Sequence, residues 1–173
     1  VSGEWFEFLP NPSTSGVIVD LEHKQVLTPP QFADLAVITW AADGRHALLQ
    51  DTHGRTQLWQ TGPWRPLSAL TRELDLVGNL WILDSRLHYA VQFGRNMSEL
   101  RVFDPHHLDA PQPVPLPEHE SFSAWAASAD GAVFAAGTSN GQIFLIDMHN
   151  LAVRQIPGPL GSPVNWISFS EDD

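Results

Sequence analysis

Residues 126–147 read AASADGAVFAAGTSNGQIFLID, and this stretch decides the fold. A run of small and apolar residues stops at Asp130-Gly131, a second stops at Ser139-Asn140-Gly141, and a third runs from Gln142 to Asp147. Asp-Gly and Asn-Gly between short apolar runs are what tight hairpin turns demand. Gly supplies the positive φ, and Asp or Asn accepts hydrogen bonds from turn amides. Residues 123–128, 133–137 and 142–147 are therefore expected as consecutive antiparallel strands, with 152–156 as a fourth.

Two markers carry this unit outward along the chain. Apolar residues closed by a polar one recur as Ile18-Val19-Asp20, Leu58-Trp59-Gln60, Val102-Phe103-Asp104 and Leu145-Ile146-Asp147, at intervals of 40, 44 and 43. Differently phased, an Asp turn recurs at Asp43-Gly44, Asp84-Ser85, Asp130-Gly131 and Asp172-Asp173, at intervals of 41, 46 and 42. A period of roughly 40–45 residues is that of a four-stranded propeller blade. The unit at 35–73 repeats the scheme with strands at 36–41, 47–50 and 56–60. The unit at 74–117 is less regular, with strands at 80–83, 87–93 and 99–104. No long segment has a 3.6-residue apolar rhythm, and 14 Pro with 12 Gly interrupt the chain, so helix is expected to be scarce. Residues 67–76, after Pro66, are expected as a strand plus connection.

The residues of 126–147 resemble the WD-repeat family, whose units run apolar strand, Asp-Gly turn, small-residue strand, second turn, then Trp-Asp. The resemblance extends over nearly the whole chain, and NWISFSEDD at 165–173 resembles the opening strand and turn of a further unit. The family's Gly-His before each opening strand is absent, and its Trp-Asp pair stands here as Val19-Asp20, Trp59-Gln60, Phe103-Asp104 and Ile146-Asp147. A divergent member and another propeller family with the same strand order both fit. The expected fold class is all-β, a β-propeller of four-stranded antiparallel blades, with about four units forming one domain over 1–173. The units are 1–34 completed by 164–173, then 35–73, 74–117 and 118–163. Strands at 5–9, 17–20 and 25–27 lack an opening strand, which 164–170 would supply. A closed four-bladed ring and part of a larger propeller, completed by self-association or a partner, both remain open.

Composition narrows the function. Acids outnumber bases 20 to 9, so the mean surface field repels nucleic-acid phosphates and anionic lipid. No Cys is present, which removes disulfides, thiol nucleophiles and thiolate metal sites. No apolar run is long enough to span a bilayer and residues 1–30 carry no signal-peptide pattern, so a soluble, cytoplasmic chain is expected. Nucleophile-elbow, phosphate-loop and zinc-protease motifs are absent, and no catalytic residue is assigned.

His106, His107 and His119 invite a metal reading, but adjacent residues of an extended chain point to opposite sides, so solvated loops are expected there and no metal or other cofactor. The Pro-rich run 111–117 is expected as a semi-rigid surface connection, with a docking segment as the alternative. The turn acids Asp43, Asp84, Asp130 and Asp172 are assigned to backbone capping. Trp40, Trp59 and Trp81 are expected to pack between blades, whereas Trp64, in Gly-Pro-Trp-Arg-Pro, is a candidate exposed contact, with core packing the other reading open to it.

The expected function is a non-catalytic scaffold or recognition module for a protein or peptide, with a channel-sited enzyme or small-ligand binder as the alternative. Propellers of the resembled kind bind peptides on the rim formed by the turns between second and third strands. Candidate contacts are His53, Arg55, Arg95, Asn96 and Asn140 on those turns, Asn165 and Trp166 at the last opening strand, and Trp64.

Overall fold

The computed structural model describes residues 5–8, 17–20, 24–27, 35–62, 64–71, 81–84, 86–94, 97–117, 121–156 and 161–170. Every regular element among them is a β-strand. The first sheet is β1 (Trp5–Phe8), β2 (Val17–Asp20) and β3 (Gln25–Leu27), in that order. The second is β4 (Leu35–Trp40), β5 (His46–Asp51), β6 (Thr56–Gln60) and the two-residue β7 (Arg65–Pro66), also in chain order. The third is β8 (Trp81–Leu83), β9 (Ala90–Phe93), β10 (Leu100–Asp104) and β11 (His107–Pro113), and the fourth is β12 (Phe122–Ala127), β13 (Val133–Thr138), β14 (Ile143–Asp147) and β15 (Val153–Gln155). The paired strands are antiparallel wherever their register is described.

The turns repeat as closely as the strands. Between first and second strands, Ala41, Asp84 and Ser128 each donate their amide to the carbonyl of the residue five on (His46, Tyr89, Val133) and accept at their own carbonyl from the residue three on (Gly44, Leu87, Gly131). That third residue is left-handed in all three, with φ of 65°, 58° and 76°. Between second and third strands, Asp51, Gly94 and Thr138 accept in the same way from Gly54, Met97 and Gly141, which again have positive φ. The acids do the capping expected of them. Asp43 accepts from the Arg45 amide at 2.8 Å, Asp84 from the His88 amide at 3.1 Å and Asp130 from the Ala132 amide at 2.9 Å. Asp172 lies outside the described residues.

Three readings change. Residues 111–113 belong to β11, the outermost strand of its sheet, instead of forming part of a connection. The Val114 amide donates to the Leu100 carbonyl at 3.0 Å, so by strand alternation the ring nitrogens of Pro111 and Pro113 face the open margin. An edge strand tolerates proline there because no ladder hydrogen bond is lost. His107 is correspondingly the first residue of a strand and not of a loop. The fourth strand of the second sheet is Arg65–Pro66 rather than part of 67–76; of that stretch, 67–71 is irregular and the rest lies outside the described residues.

The chain divides into two compact units, one comprising 1–90 and 103–111, the other 91–102 and 112–173. In the first, β5 is buried on both faces. Leu48 packs with Ala41, Leu58, Ala90, Phe103 and Leu108, while Ala47 and Leu49 pack with Ile18, Leu35, Ile38 and Trp59. In the second, the Phe93 ring sits 4.9–6.2 Å from those of Phe122, Trp125 and Phe134.

Candidate recognition surface

In the second unit, two incoming segments meet one turn. The turn is 138–142, where Thr138 Oγ1 donates to Asn140 Oδ1 at 2.6 Å and accepts from the Gln142 amide at 3.0 Å. The chain entering β12 is tied to it by the Ser139 amide, which donates to the Ser121 carbonyl at 2.9 Å. The segment 161–170 is tied to it by the Val164 amide, which donates to the Thr138 carbonyl at 3.1 Å. Ser123 Oγ donates to the Val164 carbonyl at 2.7 Å, which fixes the same residue from its other side.

Gly137 makes this approach possible. A Cβ there would meet Val164 Cβ at 2.6 Å and Ile167 Cδ1 at 3.1 Å, closer than a side chain allows. A glycine inside a strand marks close backbone approach, and it was the signal for this contact in the sequence.

Beyond Val164 the chain keeps an opening strand's apolar phase without strand pairing. Val164 is buried, Ile167 and Phe169 are half-buried, and Asn165, Trp166, Ser168 and Ser170 are exposed. Trp166 is 81% exposed, and Asn140 on the turn is exposed too. Counting back six residues from the turn aspartates Asp43, Asp130 and Asp172 places Trp166 at the position of Val37 and Ala124. Ala124 is buried, so Trp166 is a large ring where the preceding blade holds a small, covered side chain.

The other candidates fall elsewhere. Arg95 and Asn96 lie outside the described residues. His53 and Arg55 belong to the first unit, on the turn organised by the buried Asp51 carboxylate. Asp51 Oδ1 accepts from both the His53 and the Arg55 amides at 2.9 Å, and Asp51 Oδ2 pairs with Arg55 Nε at 2.6 Å. Much of the Arg55 charge is thereby committed to closing its own turn, while His53 is exposed. Trp64 does not project into solvent. It is half-buried, with ring centroids 6.0 Å from Trp40 and 6.2 Å from Trp59. Trp40 and Trp59 pack in that cluster as expected, and the Trp81 side chain is outside the described set.

His106 and His107 are exposed, and both serve Asp104. Its Oδ1 accepts from the His106 amide and its Oδ2 meets His107 Nδ1, each at 2.8 Å. The hydrogen bond to His107, then that from the His106 amide, holds the Asp104 carboxyl below its ordinary value; the bond to Asp104 and its charge raise His107. Among the described residues no three His, Asp or Glu side chains come together as ion ligands, and no helix is long and apolar enough to cross a membrane.

With this geometry in hand, solved structures supply the comparison. The chain is similar to the Cps50 (Swd1) beta-propeller domain of Myceliophteria thermophila, at 16% identity and a TM-score of 0.60, covering 85% of this chain and 52% of that one. It is also similar to the Dos1 propeller, at 15% identity and a TM-score of 0.67, covering 91% of this chain and 42% of that one. The fold is that of a β-propeller. The chain spans about half the length of these propellers. No protein-family model matches it, and no curated protein matches it in sequence.

Proposed function

We propose that this propeller is a non-catalytic interaction module that recognises a protein or peptide, within the cytoplasm, on the surface formed by the 138–142 turn and residues 163–166. The observation that supports this is Trp166, 81% exposed on a backbone anchored at Val164 to both Thr138 and Ser123. A large ring held out on an immobilised backbone loses little entropy on contact, which is why tryptophan dominates binding hot spots. Asn165, next to it in sequence, and Asn140, on the turn to which Val164 is tied, are exposed polar residues able to pair with a peptide backbone. Peptide-display selection on the intact chain, with each selected peptide re-measured on Trp166→Ala, tests the reading. Selected peptides should lose at least about tenfold in affinity, as for a hot-spot residue. Peptides indifferent to that substitution would refute it.

The same unpaired segment supports self-association as a second mode of contact. Among the described residues the β1–β2–β3 sheet has three strands where the others have four, and Asp20 ends β2 as Asp104 and Asp147 end the third strands of their sheets. Its missing element is thus an opening strand, the role whose apolar phase 164–170 carries.

A further inference from the structure

We infer that residues 109–117, along β11 and just beyond it, are a docking ligand for a partner protein whose groove presents aromatic rings, indole or phenol hydrogen-bond donors and a cation. The run reads DAPQPVPLP, so every residue from Ala110 to Pro117 is either a proline or the residue before one. Proline fixes its own φ, and its ring keeps the preceding residue extended. The segment is therefore ordered before any partner arrives, and binding costs little further conformational entropy. It is also on display. Asp109 to Pro113, Pro115 and Pro117 are exposed, while the buried Val114 fastens the run through its amide to the Leu100 carbonyl at 3.0 Å. The Leu116 amide then closes a tight turn on the Val114 carbonyl at 2.8 Å.

The chemistry of this edge selects the partner. By strand alternation Asp109, Pro111 and Pro113 lie on one face of β11, and the carbonyls of the two prolines point outward where an amide hydrogen is missing. A further strand laid along the edge would find no donor at alternate positions. An aromatic groove suits it instead, because rings stack on the pyrrolidines while indole or phenol hydrogens reach the carbonyls. A cavity of about 380 Å³ beside Pro113 seats one such ring, with Leu100, Val114 and Leu116 as apolar lining and the Arg101 guanidinium to stack on. Asp109 is exposed and enters no ion pair among the described residues, so a cation of the partner belongs opposite it. This surface shares no residue with that of Trp166, and neither depends on the other.

Fluorescence anisotropy of the intact chain with a panel of labelled WW domains, which hold proline-rich segments in aromatic-lined grooves, tests the proposal. At least one member should bind, and Pro111→Ala and Pro113→Ala should each weaken it by at least about tenfold. Either substitution restores an amide at the open edge and removes no ladder bond, so the sheet is retained. Asp109→Asn leaves the backbone untouched and should weaken the same complex about two- to fivefold, the worth of an exposed ion pair. A free peptide of residues 109–117 should compete for the domain, and Trp166→Ala should bind as the intact chain does. No binding by any member, or binding indifferent to both prolines, would overturn the proposal. Tighter binding of the alanine variants would mean strand addition at the restored amides and overturn it too. Indifference to Asp109→Asn would overturn the cation assigned to the partner, and a loss on Trp166→Ala would move the docking to that other surface and overturn its assignment to 109–117.

Discussion

Gln92 is fully buried in β9, and neither its side-chain oxygen nor its nitrogen has a hydrogen-bond partner among the described residues. Counting back from the turn residues Asp51, Gly94 and Thr138, its counterparts are Leu49 and Ala136, both buried and apolar. A buried amide without partners costs roughly 1–3 kcal/mol, and an apolar group of similar shape removes that cost. Gln92→Leu should therefore raise the urea midpoint, by an amount worth about 1–2 kcal/mol. A second residue-scale expectation concerns His107. Because its folded pKa is raised, the stabilisation it draws from Asp104 is complete below the ordinary histidine value and lost as pH rises through the folded one. Asp104, being depressed, loses its share only as pH falls through its own folded value. The pair is thus intact between those two limits. NMR titration should place His107 above the ordinary histidine range and return it there in Asp104→Asn.

Left-handed turn positions explain which elements could be seen in the sequence. In the second and fourth sheets these positions are Gly44, Gly54, Gly131 and Gly141, and the strands around them lie within a residue or two of where the turn pattern puts them. In the third sheet the same positions are Leu87 and Met97, with φ of 58° and 54°, so the punctuation is missing although the turn is made. β11 was hidden for another reason: its prolines read as linker, and only the open-edge geometry reconciles them with a strand. Sequence neighbours alone left Trp64 between exposure and core packing, because they are turn residues, while its packing on Trp40 and Trp59 is tertiary. Trp166, by contrast, is a candidate in the sequence through its place at the start of the last opening strand. Met97→Gly should stabilise modestly, by about 0.5–1 kcal/mol, since relief of left-handed strain of about 1–2 kcal/mol exceeds the entropy lost by glycine. Leu87→Gly should not, because Leu87 also packs on the Leu48–Phe103 cluster. Thermal melts of the two variants decide the point.

At the scale of the whole molecule, the segment 161–170 is the part on which both proposed contacts depend. Gly137→Ala forces a Cβ into Val164 and should dislodge it, costing about 1–3 kcal/mol in overpacking while leaving the turn itself intact. Deleting 164–173 should go further, removing cooperative unfolding or causing aggregation, because it uncovers the strands that Val164 and Ile167 cover. A tail-deleted chain that melts cooperatively at the original temperature would show the segment to be dispensable. Light scattering across a range of concentrations should reveal a concentration-dependent rise in mass for the intact chain. A strictly monomeric intact chain would count against self-association.

The proline pair on β11 has an implication for how chains of this kind fail. A sheet recruits a neighbour through donors and acceptors on its open margin, and at Pro111 and Pro113 that margin has acceptors only. Misassembly during concentrated refolding should therefore be vectorial: fibrillar growth has to start from margins without this block, so a seed built from residues 107–113 should be inert where one built from 164–170 propagates.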